Sequence, residues 1–372
     1  MKHRMTAAKL VVVVLSLAGT AWAQGTHACV YANDNASPAN TVDGYFTNGQ
    51  RARYLKPVAT GGAGKSSGTF FASPFIAIAP GSTHLYAADS TSNDIALMSI
   101  NPASCALTHV ANYPSGGQDS FGGLGIVIAP NGKFLYASNS TVATITVLGI
   151  NADGSLTAPL QTVALPELVV SMAIAPNGKT LITTQSGGTQ VMAYAVDSST
   201  GLLTLASGVN TSGAAAGVAI DPHSKFLYIG TGSNEGIEVQ IIEIGADSQL
   251  TYIADDFFFQ GGTSGNCLLV SPSGKSLYIS NQISATVTTL SVNPQSGALS
   301  FNSVVADGGF DDEPSELAQT STGSLVFAGD FNTAGSPKLG IMRASANGGL
   351  TSVGTFPLAA HSSPTSVAAG LF

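Results

Sequence analysis

The chain is short of charge. Only 9% of its 372 residues are Asp, Glu, Lys or Arg, and the 13 basic against 21 acidic side chains give a formal net charge of −8. So sparse and net-acidic a chain offers little to phosphate backbones or anionic bilayers, which excludes nucleic acid and charged membrane surfaces as partners. Cysteine is scarce as well. Cys29, Cys105 and Cys267 make an odd set, so at least one thiol stays free even in an oxidising compartment. No Cys/His spacing fits a zinc site. Beyond the first two dozen residues no uncharged apolar run approaches 18, so a membrane span is not expected and the mature chain reads as soluble. There is no Ser-His-Asp order and no Gly-x-Ser-x-Gly elbow, which removes the common serine-hydrolase signatures.

What is present begins with a leader. Lys2, Arg4 and Lys9 precede or open the apolar run LVVVVLSLAG (10–19), and Ala21-Trp22-Ala23 offers a small-x-small cleavage site before Gln24. This reads as a secretory signal peptide over 1–23, with 24–372 as one mature domain in the periplasm or outside the cell. Cys29 lacks the leucine and small residues that precede a lipidated cysteine. Removal of the leader takes the net charge from −8 to −11.

The mature chain repeats itself. IVIAPNGKFLYASN (126–139) has β-branched and aromatic residues on both sides of a Pro-Asn-Gly turn, the pattern of two antiparallel strands. It returns as IAIAPGSTHLYAAD (76–89), MAIAPNGKTLITTQ (172–185), VAIDPHSKFLYIGT (218–231) and LLVSPSGKSLYISN (268–281), and more faintly as ELAQTSTGSLVFAG (316–329). Pro80, Pro130, Pro176, Pro222 and Pro272 are 50, 46, 46 and 50 residues apart. A later strand opens with Leu107, Leu156, Leu203, Leu250, Leu299 and Leu350, spaced by 49, 47, 47, 49 and 51. Four-stranded units at this period predict an all-β, seven-bladed β-propeller, expected to be a monomer. Six units are complete and the seventh is split. SPTSVAAGLF (363–372) supplies its first strand, while CVYANDN (29–35) and TVDGYFTN (41–48) continue it, so the C-terminal strand closes the first blade. Cys29 and Cys105 fall near hairpins on one face of neighbouring blades, a pair open to bridging, whereas Cys267 lies at the opposite end of an inner strand.

The Pro-x-Gly-Lys-x-Leu-Tyr-x-x-Asn units ending in Gly-x-Leu-Thr resemble the lactonase-type seven-bladed propellers over about residues 28–372. That family includes 6-phosphogluconolactonases and is similar to the YVTN-repeat propellers. The resemblance implies a hydrolase acting on a sugar lactone or related ester at the rim of the central channel. The residues shared are those a blade needs, so a second class stands beside it: a non-catalytic propeller that binds a glycan, peptide or envelope component. The family's Arg-His pair before an inner strand has no counterpart in TSGNCLLVSP (263–272), and Lys133, Lys179, Lys225 and Lys275 all sit in turns on the opposite face. A phosphorylated lactone needs cationic donors, so an uncharged small-molecule or carbohydrate ligand is the expected partner.

Candidate site residues follow from the repeat. Asp34, Asp89, Asn139, Gln185, Thr231, Asn281 and Asp330 end the second strand of each unit and are expected at the ligand-facing rim, where they either bind or cap the backbone. ADGGFDDEPSE (306–316) gathers Asp307, Asp311, Asp312 and Glu313, oxygen donors of the kind Ca²⁺ takes, and Asp255 and Asp256 are placed in a blade-to-blade loop nearby. Ca²⁺ is the one cofactor the sequence suggests. Glu316, in the slot filled elsewhere by Ile76, Ile126, Met172, Val218 and Leu268, is a candidate acid–base residue. His109, placed in the loop THVANYPSGGQDS (108–120), is the one histidine with a plausible rim position and the second catalytic candidate.

Overall fold

The computed structural model describes residues 27–65, 74–117, 123–139, 141–186, 189–213, 215–232, 235–263, 265–306, 313–331, 338–358 and 366–371. The proposed leader, 1–23, lies outside them. The described residues form seven sheets of four antiparallel strands each. From the channel outward, blade one holds β28 (Ser366–Leu371), β1 (Ala28–Asn33), β2 (Thr41–Thr47) and β3 (Ala52–Ala59). Blade two holds β4 (Ile76–Ile78), β5 (His84–Asp89), β6 (Asp94–Ile100) and β7 (Leu107–Pro114). Blade three holds β8 (Leu124–Ile128), β9 (Phe134–Asn139), β10 (Thr144–Ile150) and β11 (Leu156–Ala164). Blade four runs through β12 (Val169–Ile174), β13 (Thr180–Gln185), β14 (Gln190–Val196) and β15 (Leu203–Asn210). Blade five runs through β16 (Ala215–Ile220), β17 (Phe226–Gly232), β18 (Ile237–Ile244) and β19 (Leu250–Phe258). Blade six comprises β20 (Gly265–Val270), β21 (Ser276–Asn281), β22 (Thr286–Val292) and β23 (Leu299–Ala306). Blade seven comprises β24 (Glu313–Gln319), β25 (Leu325–Phe331), β26 (Lys338–Ala344) and β27 (Leu350–Pro357). No helix long and apolar enough to cross a membrane occurs among the described residues.

The expected turns form as the sequence dictates. In blade three Gly132 takes a φ of +69°, its amide donates to the Ala129 carbonyl at 2.8 Å, and the Asn131 side chain accepts from Lys133 N–H at 3.0 Å. The recurring leucines open β7, β11, β15, β19, β23 and β27, the outer strand of six blades.

Strand alternation sends successive side chains to opposite faces. Leu135 therefore enters the core between blades two and three, and Tyr136 the core between blades three and four. Seven apolar clusters result, one at each seam between neighbouring blades. The tyrosine of the Leu-Tyr repeat also ties its seam with a hydrogen bond, since a buried hydroxyl needs a partner. Tyr31, Tyr86, Tyr136 and Tyr228 donate to the carbonyls of Cys105, Gly154, Gly201 and Gly297, each in a turn of the next blade, at 2.7–3.2 Å.

The split blade closes as expected. β28 pairs with β1 from Ala28↔Leu371 to Asn33↔Ser366. Cys29 and Cys105 form a disulfide between blades one and two, with Cα atoms 5.3 Å apart, and Cys267 is free and buried.

Candidate active site in the central channel

The inner strands surround a cavity of about 550 Å³ on the propeller axis. Its wall is mostly apolar, and the ionisable side chains that line it are Glu316 and Cys267. No Lys, Arg or His is among the described residues of the wall.

Glu316 gets there through a β-bulge. β24 pairs with β25 at Pro314↔Asp330 and again at Leu317↔Ala328, so two residues oppose Gly329 and the register slips. Such bulges re-aim side chains. Glu316 Oε2 accepts the Ser366 hydroxyl proton and the Val367 N–H, the latter at 3.3 Å. The Phe75 N–H donates to Ser366 Oγ at 2.9 Å, which leaves the hydroxyl proton directed at the carboxylate. Blades two, one and seven thus form one relay, and Glu316 Oε1 has no partner among the described residues.

Burial pushes the Glu316 carboxyl up to about 8, with the Ser366 and Val367 donors pulling the other way. The side chain as a whole is half-buried, but protein surrounds the carboxyl itself closely enough for desolvation to dominate. Burial pushes the neighbouring Cys267 thiol up to about 12, the Glu316 charge adds to that, and a Ser280 hydrogen bond opposes it. A thiol so placed is inert near neutral pH.

One slot assignment needs correction. The turn glycine Gly323, whose amide donates to Thr320 O, matches Gly132, whose amide donates to Ala129 O. This alignment shifts the blade-seven repeat by one residue. Glu316 therefore stands level with Phe75, Gly125, Ser171, Gly217, Cys267 and Ser366, not with Ile76, Ile126, Met172, Val218 and Leu268. The shift arises because the turn TSTG (320–323) carries no proline to anchor the match.

The other sequence candidates are dispersed. His109 lies on β7, the outermost strand of blade two, rather than in a loop; it is exposed and its Nε2 is 2.5 Å from Asn112 Oδ1. Glu316 is on an innermost strand of another blade, so the two catalytic candidates do not meet. Asp34, Asp89, Asn139, Gln185 and Asn281 are each at most 1% exposed, and Thr231 is 3% exposed. Several of them meet the loop arriving from the preceding blade. Asp89 Oδ1 accepts from Asn40 Nδ2 at 2.7 Å and Thr60 Oγ1 at 2.8 Å, and a Cβ on Gly62 would come within 2.4 Å of Asp89 Oδ2. Asn281 Nδ2 donates to Thr288 Oγ1 at 2.8 Å and to Gly261 O at 3.3 Å. Burial pushes Asp89 up to about 7, the Asn40 and Thr60 donors pull down, and Asp94 pushes up.

Asp255 and Asp256 belong to β19 rather than a loop, because the strand runs longer than its opening Leu-Thr suggests. Asp307, Asp311 and Asp312 lie outside the described residues. Glu313 and Asp330 lie on β24 and β25 with side chains outside the description. Among the described residues the group placed to hold a metal is His27, Cys29 and Cys105, two of which are joined in the disulfide.

The sequence matches the family described as Lactonase, 7-bladed beta-propeller over residues 75–211 and 204–310. The chain belongs to that family. Solved structures agree on the fold. A candidate 6-phosphogluconolactonase from Bacteroides fragilis superposes with a TM-score of 0.73 at 16% identity, covering 94% of this chain and 98% of the other. The periplasmic gluconolactonase of Pseudomonas aeruginosa gives 0.72 at 18% identity, with 92% and 98% covered. A protein from Lactobacillus plantarum gives 0.70 at 16% identity, with 94% and 100% covered. No curated protein matches the sequence. Ser366, Val367 and Phe75 are the residues around Glu316 that sequence reasoning missed. The signal that finds them is the closure of the split blade, which brings residue 366 level with residue 316.

Proposed function

We propose that this propeller hydrolyses an uncharged lactone or related ester in its central channel, with Glu316 as the proton-transferring group. The observation that carries the reading is a buried carboxyl on the cavity wall with one oxygen held by Ser366 and Val367 and the other without a partner among the described residues. A carboxyl raised to about 8 is a far stronger base than an ordinary glutamate once ionised, and an effective acid near neutrality. In the ionised form Oε1 takes a proton from water as the water oxygen bonds to the lactone carbonyl carbon. The ring C–O bond then breaks with its electron pair, and Glu316 returns the proton to the departing oxygen. One water is consumed and a hydroxy acid forms. The wall has no described cation to receive a phosphate, so the substrate is unphosphorylated.

Export to the periplasm or beyond belongs to the same reading. The leader-like residues 1–23, the Cys29–Cys105 disulfide and the likeness to a periplasmic gluconolactonase support it. A second reading, a propeller that binds such a ligand without turning it over, is favoured by the lack of a cation among the described residues of the wall to steady the developing oxyanion. A panel of neutral lactones followed by pH-stat separates the two. The hydrolase reading expects proton release that Glu316→Gln lowers at least a hundredfold; no release above the buffer rate from any lactone leaves the binding reading.

A further inference from the structure

Below Glu316 the channel wall is apolar through its middle, and polar groups return only at its lower end. The strands descend from the level of Ser171, Gly217, Cys267 and Glu316 to the turns at Pro176, Pro222 and Pro272, roughly 16 Å at about 3.3 Å per residue. Along this stretch Ile174, Ile220 and Leu269 line the cavity as half-buried side chains, beside Met172 and Leu268. The polar groups at the lower end are partly engaged elsewhere, while Gln319 Oε1 is buried with no partner among the described residues and Ser321 is exposed on the wall. Gln319 Nε2 donates to Val270 O at 2.7 Å, and the Ser271 hydroxyl accepts from the Ser276 N–H at 3.1 Å. A polyhydroxylated ring held among these aliphatic side chains would lose its water without gaining partners for most of its hydroxyls. A hydrocarbon chain has no such loss, and a mostly apolar cavity of about 550 Å³ with one carboxyl at its upper level and a few other polar groups is the usual form of a site for a largely apolar ligand.

We propose that the channel takes a lactone bearing an alkyl tail, with the ring carbonyl at Glu316 and the tail running down the apolar wall toward the proline turns. This rests on the hydrolase reading above for the ring, and on the wall alone for the tail. The lactone opens as written there, one water adding across the ring C–O bond.

The experiment uses the purified full chain and γ-lactones with ethyl, butyl, hexyl and octyl tails, with gluconolactone as the polar comparator. The matching γ-lactams, which resist hydrolysis, are titrated calorimetrically. Each added methylene is expected to raise kcat/KM, and to tighten lactam binding, by up to about fourfold, until the tail outgrows the channel. Ile220→Gln is expected to flatten both series while leaving the melting temperature cooperative. Lactams that bind with tail dependence, while no lactone is opened, keep the alkyl channel and overturn the hydrolase. Gluconolactone turned over as fast as the octyl lactone, with no trend along the series, keeps the hydrolase and overturns the alkyl channel. Neither turnover nor binding overturns both.

Discussion

At the scale of single residues, Glu316 and Gly132 show how position sets consequence. The Glu316 carboxyl is raised from an ordinary 4.5 to about 8. Below about pH 4.5 it is protonated in both folded and unfolded chains and costs nothing. As pH climbs, the unfolded chain ionises first, and the native state pays increasingly to hold the proton or bury the charge, until the penalty levels off above about 8. Glu316→Gln removes the ionisation, so it should raise the melting temperature relative to wild type more at about pH 9 than at about pH 5. A difference that does not change between these pH values would mean that the carboxyl is not desolvated. Gly132 adopts a φ of +69°, and a Cβ there would make only an ordinary contact, 3.4 Å from the Pro80 carbonyl oxygen, so backbone strain decides most of the cost of a side chain. Gly132→Val should destabilise by about 1 kcal/mol or more; an unchanged denaturant midpoint would contradict this.

At the scale of elements, β28 matters most. It supplies the innermost strand of blade one through six residue pairs with β1, and Val367 joins the apolar cluster between blades seven and one. A chain ending before Ser366 would expose the β1 edge and open that cluster. Such a truncation should give aggregated protein with no cooperative melt; a soluble monomer with the wild-type melting temperature would refute the closure. Closure was legible because Val30-Tyr31 repeats the Leu-Tyr slot and Leu-Thr or Leu-Ser opens the outer strand of the six other blades. The site was less so. A pattern of turns and core positions reports where strands lie but not which side chain a bulge redirects, and TSTG (320–323) without its proline displaced Glu316 by one slot. The same limit put His109 and the Asp255-Asp256 pair in loops, because alternation within an outer strand is weak where both faces are partly wet. Asp89, Asn139, Gln185 and Asn281 end their strands and Asp34 follows β1, but their burial under arriving loops depends on glycines such as Gly62 that carry no repeat signal.

For the whole molecule, stability is a ring of seven seams, and the disulfide joins two blades 76 residues apart in sequence. Closing a loop of that length restricts the unfolded chain, so Cys105→Ser should cost about 2–4 kcal/mol, read as a lower denaturant midpoint; no shift would mean the bond does not form in solution. The proposed site is itself a product of the ring. Phe75, Ser366 and Glu316 come from blades two, one and seven and meet only when the last strand of the chain has docked. The most direct test is the pH dependence of kcat/KM for a neutral lactone, measured for wild type and Glu316→Gln. The wild type should show a rate rising with pH along a single ionisation near 8 and then levelling, with that limb lost and the rate at least a hundredfold lower in the variant. A variant that keeps the wild-type rate and profile would contradict a role for Glu316 in the chemistry.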